Sequence, residues 1–337
     1  MMGVPGLPSG TLIVVPTLNE ARTIAPLLAA LEAEAQLLGD TLIVVVDGGS
    51  SDGTASIVRS LAKPGHVEVL HNPKRIQSAG INQAVAAFAG TRKWLIRIDA
   101  HGGYPSDYCR TLVAEAERMN ASAVVVPMTT VGRGLFQRAV AAAQNSLVGT
   151  GGSSHRTARG GAWVDHGHHA LMDTAAFRAV GGYDENFMHN EDAELDYRLR
   201  RAGGRIWLTD RTAMTYYPRS NPAALFRQYF GYGRGRARNV FKHRTMPRVR
   251  QLLPLAIVPS LALAALALLH WSALVPLAAW MALCLLLGAL ATTRHVAGSR
   301  VTLMSAPLVG VAAMIMHLAW SAGFWLHVVE TLRLSRS

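Results

Sequence analysis

The chain has 337 residues, enough for one domain of ordinary size and a further segment. Its 33 lysines and arginines outnumber 21 acidic residues, which gives a net charge of +12 together with a positive mean hydropathy. A chain that is both basic and apolar indicates contact with a membrane surface rather than ordinary nucleic-acid binding. Cys109 and Cys284 stand far apart, which excludes a disulfide framework or a CxxC motif and fits a reducing compartment.

Short apolar runs alternate with helical patterns through the first part of the chain. Strands are predicted at 11–16, 41–47, 67–72, 93–99 and 122–127, with helices at about 21–38, 54–62, 78–89 and 106–119. Continuous apolar strands separated by amphipathic helices predict an α/β fold, with a doubly wound, mostly parallel sheet covered on both faces. Ligands of such sheets bind beyond the carboxyl ends of the strands.

The character of the chain changes after residue 250. No charged residue occurs between Leu252 and Thr293, a length that suits two membrane-spanning helices with a turn near His270. A third uncharged run extends from Val301 to Val329. All three runs lack amphipathic periodicity, which favours membrane spans over buried helices of a soluble core.

Basic residues flank the apolar runs. They occupy 232–250 before the first run, and Arg294 and Arg300 lie between the second and third. The positive-inside tendency places these flanks, and the α/β domain, on the cytoplasmic side of the inner membrane. Three spans would put the basic tail outside, so one run could instead be re-entrant or interfacial. The expected organisation is a cytoplasmic domain (1–221), a basic interfacial segment (222–250), a membrane domain (251–330) and a short tail (331–337).

Two strand ends carry small and polar residues. "VVPTLNE" (14–20) ends the first strand, and "VVVDGGSSDGT" (44–54) ends the second. The glycines permit close approach of the backbone to a ligand, and Asp47 and Asp52 can accept hydrogen bonds from a ribose hydroxyl or a base N–H. A plain turn in which Asp52 or Ser51 caps the next helix would use the same residues.

A third strand ends in "IDAH", with Asp99 and His101 separated by one residue. In an extended turn both side chains can point the same way. A divalent cation bound to a diphosphate needs only one or two protein ligands, which this pair can supply. The imidazole would favour Mn²⁺ more than two carboxylates would. A solvated strand end with an incidental histidine is the alternative.

A second acidic group, "HNED", begins a predicted helix at Glu191 and Asp192. The helix dipole alone explains much of the charge order that follows, from acids to arginines. The motif "HNED" stands at a helix start after a glycine-rich loop, where the carboxylate of Asp192 can face a cleft. A base there could take the proton from an acceptor hydroxyl that attacks the anomeric carbon of a sugar.

The ordered set "VVPTLNE", "VVVDGGSSDGT", "AGINQAV", "IDAH", "GGYDENF…NEDAELDYRLRRAGG" and "QYFGYGRGR" resembles the family 2 inverting glycosyltransferases of the GT-A fold. The likeness covers about residues 10–245 and is greatest to membrane-anchored glucosyltransferases of succinoglycan assembly. It implies transfer of one sugar, glucose from UDP-glucose, to a saccharide carried on a polyprenyl diphosphate. Other exopolysaccharide assembly proteins are possible partners, and no nucleic acid is expected.

The resemblance also implies residue roles. The donor contacts would be Pro16, Glu20, Asp47, Asp52, Gly80, Asn82 and Asp99. "IDAH" stands where the family has DxD, so Asp99 and His101 would hold Mn²⁺ or Mg²⁺, and Asp192, beside Glu191, would be the base. The family's QxxRW element is altered here, and the residues expected in its place at the acceptor or diphosphate are Gln228 with Arg234 or Arg236. Apart from the resemblance, the glycine-, serine- and arginine-rich stretch 149–161 could be a loop over the donor or acceptor with Arg156 or Arg159 facing phosphate, or an ordinary surface loop.

Other interpretations are weaker. A nucleotidyltransferase would show a glycine-rich basic loop directly after the first strand, and "PTLNEARTI" is not such a loop. A processive synthase usually keeps the full QxxRW element, and a degenerate export scaffold would not need the intact acids. His166, His168 and His169 could mark a transition-metal site, but a loop over the acceptor site is preferred.

Overall fold

A computed structural model describes residues 10–150, 160–293 and 305–334. The chain forms two compact units. The first contains Met1–Met128 and Ala158–Thr215, and the second contains Thr129–Thr157 and Tyr216–Ser337. The segment 129–157, expected in the catalytic domain, therefore belongs to the second unit.

The strands are β1 (Thr11–Thr17), β2 (Thr41–Asp47), β3 (Val67–His71), β4 (Trp94–Arg97), β5 (Ala123–Val126), β6 (Met128–Thr130), β7 (Ala162–Val164), β8 (His168–Asp173), β9 (Ile206–Leu208) and β10 (Met214–Tyr216). The helices are α1 (Ile24–Leu38), α2 (Thr54–Leu61), α3 (Gln77–Phe88), α4 (Tyr108–Met119), α5 (Leu135–Gln144), α6 (Leu147–Thr150), α7 (Thr174–Ala179), α8 (Glu191–Arg201), α9 (Pro222–His243), α10 (Val249–Leu255), α11 (Ile257–Ala264), α12 (Val275–Thr293) and α13 (Ala306–Leu334). Short 3₁₀ turns at Ala265–Leu268 and Trp271–Leu274 precede α12. The strands and helices predicted before residue 128 are all present.

An eight-stranded sheet forms the first unit, in the order β3-β2-β1-β4-β8-β5-β9-β7. The first four strands in this order are parallel. Strand β8 runs antiparallel between β4 and β5, with Ile96 opposite Leu171. The amino end of β8 therefore lies at the same edge of the sheet as the carboxyl end of β4. The short strands β6 and β10 pair where the chain passes between the units.

Both faces of this sheet are buried. Along β1, Ile13 and Val15 belong to a cluster with residues of α1, α2 and α4, whereas Leu12 and Val14 pack with residues of α3, α7 and α8. Successive side chains of a strand point to opposite faces, so a strand covered on both sides must be apolar throughout. This confirms the predicted doubly wound, mostly parallel arrangement, with β7 and β8 as the antiparallel strands.

The second unit contains α5, α6 and the helices from α9 onwards. Three stretches are long and apolar enough to cross a membrane: Val249–Leu268, Trp271–Thr292 and Ala306–Arg333. Leu268, which ends the first stretch, and Leu269, which follows it, are largely exposed. Exposed apolar surface of this extent is what a bilayer would cover. The three apolar runs predicted from the sequence are thus present as helices.

Candidate active site

A buried arginine at the end of β4 lies at the centre of the site. Arg97 places Nη1 2.7 Å from Asp192 Oδ1 and Nε 3.2 Å from Asp99 Oδ1. Burial alone would lower its pKa, but the charges of Asp192 and Asp99 raise the pKa of Arg97 well above its ordinary value. A permanently charged guanidinium therefore joins the two carboxylates that the sequence singles out.

Asp99 is fixed through one carboxylate oxygen. Oδ1 accepts hydrogen bonds from Gln77 Nε2 at 2.9 Å and from Arg97 Nε at 3.2 Å. Burial would raise the pKa of Asp99, yet the charges of Arg97, His168 and His101 hold it well below its usual range. Asp99 is consequently ionised at neutral pH, and Oδ2 is the oxygen that these hydrogen bonds leave for a cation.

His101 contacts Glu20, which was expected at the nucleotide. His101 Nδ1 lies 3.0 Å from Glu20 Oε1, and the His101 side chain is 53% exposed. A carboxylate that receives the Nδ1 proton leaves Nε2 as the ligand atom, the arrangement common around metal-binding histidines. Within the described residues no three His, Cys, Asp or Glu side chains form a metal group. Asp99 and His101 still suit a cation that keeps phosphate and water as its other ligands.

Glu191 and Asp192 occupy the first turn of α8, as predicted. Arg97 Nη1 lies 3.8 Å from Glu191 Oε1. Burial and the neighbouring charge of Asp192 raise the pKa of Glu191 to about 7. Burial would also raise the pKa of Asp192, but Arg97 and His169 lower it below its ordinary value. The two adjacent acids thus differ in charge near neutral pH, and Asp192 is the ionised one.

Two histidines from the amino end of β8 complete the site. His168 lies between the acids, with Nε2 3.7 Å from Asp99 Oδ2 and Nδ1 3.9 Å from Asp192 Oδ2. Burial lowers the pKa of His168, so its imidazole is neutral at pH 7. His169 is fully buried and contacts Asp196. The sequence favoured a loop over the acceptor site for these histidines. In the structure, His168 and His169 instead begin strand β8, and both lie near Asp192, with His168 also near Asp99.

The loops after β1 and β2 are joined by hydrogen bonds. Asp47 Oδ2 accepts the backbone N–H groups of Gly49 and Ser50, both at 3.0 Å. Asp52 Oδ2 accepts the N–H of Ala21 at 2.9 Å, and its other oxygen accepts the N–H of Thr54 at 3.0 Å. Pro16 is the next-to-last residue of β1, at the same edge of the sheet. The two loops form one connected surface, and nucleotide binding there stays a prediction.

Gly80 and Asn82, also expected at the donor, have structural contacts on α3. A Cβ atom on Gly80 would lie 2.8 Å from Val46 Cγ1, so glycine lets α3 pack closely on β2. The side chain of Asn82 bonds both backbone groups of Tyr183, accepting its N–H at 2.9 Å and donating to its carbonyl at 2.8 Å. None of these contacts involves the Asp99 carboxylate.

The acceptor residues expected on α9 lie in the second unit. Gln228 donates to Tyr216 Oη at 2.7 Å and to Tyr232 Oη at 2.9 Å. Arg234 pairs with Glu330 at 2.8 Å. Burial and the charges of nearby arginines lower the pKa of Arg236 to about 10. Arg156, expected at the same ligand, lies outside the described residues.

Sequence reasoning missed Arg97, Gln77 and Tyr183. Arg97 carries a signal in retrospect, because "KWLIRID" places a cation inside a strand that is otherwise apolar. A charge is rarely buried without a partner, so an arginine at such a position indicates acids nearby. Gln77 and Tyr183 have no comparable signal, since their roles depend on contacts with residues distant in the chain.

Comparisons with known proteins agree with this geometry. The model of glycosyl transferase family 2 matches residues 12–181. The succinoglycan biosynthesis protein ExoA of Rhizobium meliloti (strain 1021) is 54% identical over 328 residues, which cover 96% of this chain and 97% of that protein. A dolichyl N-acetyl-alpha-D-glucosaminyl phosphate 3-beta-D-2,3-diacetamido-2,3-dideoxy-beta-D-glucuronosyltransferase of Methanococcus voltae is 22% identical over 232 residues, covering 66% and 71% of the two chains.

A solved structure shares the fold. Mannosyltransferase PcManGT from Pyrobaculum calidifontis, in complex with GDP-Man and Mn²⁺, superposes with a TM-score of 0.58 and 20% sequence identity. The match covers 91% of this chain and 86% of that one. At this identity the likeness concerns the fold and not the substrate.

Proposed function

This chain belongs to glycosyl transferase family 2 and has the GT-A fold, and from that premise we propose a reaction for it. The enzyme transfers glucose from UDP-glucose to a saccharide linked to a polyprenyl diphosphate, during assembly of succinoglycan at the inner membrane. The identity with ExoA supports the pathway. The three apolar helices support a membrane-embedded acceptor.

The observation that carries the proposal is the pair of carboxylates held by one arginine. Asp99 and Asp192 contact different nitrogens of Arg97. Asp99 can therefore act on the side of the departing diphosphate, while Asp192 takes the proton of the incoming hydroxyl. An intact, buried charge cluster of this kind also counts against a degenerate scaffold, because it stabilises a fold no better than apolar residues would and a scaffold would have no other use for it.

Asp192 is the proposed general base. Its Oδ1 atom accepts hydrogen bonds from Arg97 at 2.7 Å and from Tyr183 Oη at 3.0 Å. Oδ2 is left to accept a proton. The acceptor oxygen bonds to the anomeric carbon as the bond from that carbon to UDP breaks. The electron pair leaves with UDP, the hydroxyl proton passes to Asp192, and the anomeric configuration inverts without a covalent intermediate.

A divalent cation would be held by Asp99 and by Nε2 of His101. When bound, it neutralises charge that develops on the departing diphosphate, and its mixed oxygen and nitrogen ligands favour Mn²⁺ over Mg²⁺. Arg97 keeps Asp99 ionised for this purpose. Glu191, with its raised pKa, is protonated in part near neutral pH and then does not compete with Asp192 for Arg97.

The membrane side of the proposal concerns α9 and the helices that follow it. Residues 232–250 carry many arginines and precede the first apolar stretch. Such a segment suits anionic headgroups or the diphosphate of a lipid carrier on the cytoplasmic side. Arg236 is the acceptor candidate whose pKa is governed by burial and by the charges of Arg248 and Arg250. Arg234, by contrast, is paired with Glu330.

Release of UDP tests the proposal. The full-length protein in detergent is given a panel of UDP-sugars, Mn²⁺ or Mg²⁺, and a polyprenyl-diphosphate saccharide. We expect acceptor-dependent release from UDP-glucose, reduced about 10³-fold in Asp192→Asn because general-base catalysis is lost. Asp165→Asn removes an exposed carboxylate and should keep the wild-type rate. An unchanged rate in Asp192→Asn, or no release from any donor, would contradict the proposal.

A further inference from the structure

A chain of polar side chains leads from Asp192 into the core of the first unit. Tyr183 Oη is 3.0 Å from Asp192 Oδ1, and His169 Nδ1 is 3.2 Å from Tyr183 Oη. On the other side of the ring, His169 Nε2 is 2.5 Å from Asp196 Oδ1. The proposed reaction assigns no step to Tyr183, His169 or Asp196.

These residues are removed from solvent. Tyr183 is 2% exposed, and His169 and Asp196 are 0% exposed. A buried histidine–carboxylate pair rarely stabilises a fold more than apolar residues of the same size would. Its place directly behind the proposed base points to a role at the site rather than in general stability.

The direction of each hydrogen bond follows from the charges. Asp192 is ionised and can only accept, so the single hydroxyl proton of Tyr183 must point to it. Tyr183 Oη then accepts from His169 Nδ1–H, and Asp196 accepts from His169 Nε2–H. Both ring nitrogens therefore carry protons. Burial disfavours this cation, but the carboxylates of Asp196 and Asp192 raise the pKa of His169 above its ordinary value.

Tyr183 is fixed at its backbone as well as at its hydroxyl. Asn82 bonds both its N–H and its carbonyl. Gly167 N–H donates to Asp196 Oδ2 at 3.3 Å, which holds the far end of the chain. The hydroxyl is thus presented to Asp192 by a support with little freedom to move.

We propose that Tyr183, supported by His169 and Asp196, is a positioning residue for the base. It fixes Asp192 Oδ1, so that Oδ2 is the oxygen turned to the acceptor hydroxyl, and it favours the ionised carboxylate. The inference rests on the proposed role of Asp192. The other groups facing Asp192 are Arg97 from β4, His168 and His169 from β8, and Glu191 from its own helix.

The test is Tyr183→Phe, which removes one hydroxyl and little volume. Loss of a hydrogen bond to the ionised form raises the pKa of Asp192, and the base must be ionised to act. We expect the acidic limb of the kcat/KM profile to move up by about one pH unit. We also expect kcat at the plateau to fall about tenfold while the KM for donor is unchanged. Asp196→Asn should shift the limb in the same direction, since His169 loses its anion.

Tyr197→Phe is the matched control, because Tyr197 lies on α8, the helix of Asp192, but its hydroxyl accepts from Arg201 at the surface. It should leave both limbs and kcat unchanged. A purely structural role for Tyr183 would lower the amount of active enzyme without moving the pH profile, and that result would overturn the inference.

A readout without turnover separates this inference from the proposed function. In pH-difference infrared spectra of the detergent-solubilised protein, the carboxyl band lost in Asp192→Asn reports the titration of Asp192. The inference requires that this band titrate at higher pH in Tyr183→Phe, whether or not an acceptor has been found. An unmoved band would refute the positioning role, whereas full activity of Asp192→Asn would refute the base itself.

Discussion

His101 is held through one ring nitrogen, Nδ1, and about half of its side chain is exposed. Its contact is with Glu20, whose other oxygen accepts from Thr23 Oγ1 at 2.8 Å. The backbone N–H of Glu20 donates to Thr54 Oγ1, also at 2.8 Å. Glu20 therefore connects the loops after β1 and β2 to the histidine, and two roles follow for its carboxylate: to orient His101 as a metal ligand, or to bind the nucleotide.

Glu20→Gln distinguishes these two roles. If Glu20 orients His101, the Mn²⁺ concentration for half-maximal activity should rise about tenfold, with the donor KM at saturating Mn²⁺ unchanged. Titrations of UDP release against metal and against donor give both values. Glu32→Gln, which removes a carboxylate paired with Lys63 at the surface, is the control. A higher donor KM at an unchanged metal requirement would instead support the nucleotide contact that the family resemblance implies.

The acids of the site could be predicted from the sequence, but the groups that control them could not. Asp99 and Asp192 stand at the end of a strand and the start of a helix, where local pattern is informative. Their interaction depends on Arg97, His168 and Tyr183, which the chain brings from three separate segments. No spacing along the sequence encodes those contacts.

At the scale of elements, the parallel strands were predictable and β8 was not. The runs that form β1, β2 and β4 are apolar apart from residues at their ends, which is typical of strands buried on both faces. Strand β8 begins with two histidines and ends in Asp173, so only a short apolar run remains between its polar ends. A run that short does not indicate a strand in the sequence. Its antiparallel insertion is what places His168 beside Asp99.

Helices α9 and α13 approach so closely that glycine is required on both. A Cβ atom on Gly233 would lie 1.9 Å from the carbonyl oxygen of Trp320, and one on Gly323 would lie 2.0 Å from that of Phe230. Backbone atoms cannot move aside as a flexible side chain can. Small residues at such crossings let helix backbones pack together, within a membrane or beside it.

Gly233→Ala should therefore destabilise the second unit, although alanine favours helix formation. The overlap with a backbone oxygen forces the helices apart at a cost of about 2 kcal/mol. Thermal unfolding followed by circular dichroism in detergent should show a lower midpoint. At Gly134 of the same unit a Cβ atom meets nothing within 4 Å, so Gly134→Ala should change the midpoint less. Equal shifts in the two variants would mean that the helix crossing tolerates the added methyl group.

At the scale of the whole molecule, all three candidate spans follow the first unit in the chain. An odd number of crossings would separate the basic segment before Val249 from the residues after Arg333. The arginines of that segment favour the cytoplasmic side for the transferase unit. The tail carries only two arginines, too few to oppose this orientation strongly.

We expect the C-terminus to lie outside the cytoplasm. Alkaline phosphatase fused after residue 337 should be active in cells, and green fluorescent protein at the same position should be dark. Green fluorescent protein at the N-terminus should fluoresce and serves as the control. A fluorescent C-terminal fusion would instead indicate that one of the three apolar stretches is re-entrant or lies in the interface.

The division of the chain into units could not be predicted from composition. Residues 129–157 are no more apolar or basic than their neighbours, so the sequence offered no reason to detach them from the catalytic domain. They belong to the second unit because α5 packs there. Its residues Ala139, Val140 and Ala143 form one cluster with Ala312 and Met316 of α13. That contact joins a segment from the middle of the chain to one near its end.

The same contact has a consequence for biosynthesis. The ribosome makes α5 well before α13, and domains generally fold in the order in which they emerge. The apolar face of α5 therefore stays uncovered while the first unit closes and the membrane helices are inserted. The second unit can be completed only near the end of translation. Throughout that interval the apolar face of α5 is open to aggregation, so maturation of the protein would require that this face be protected.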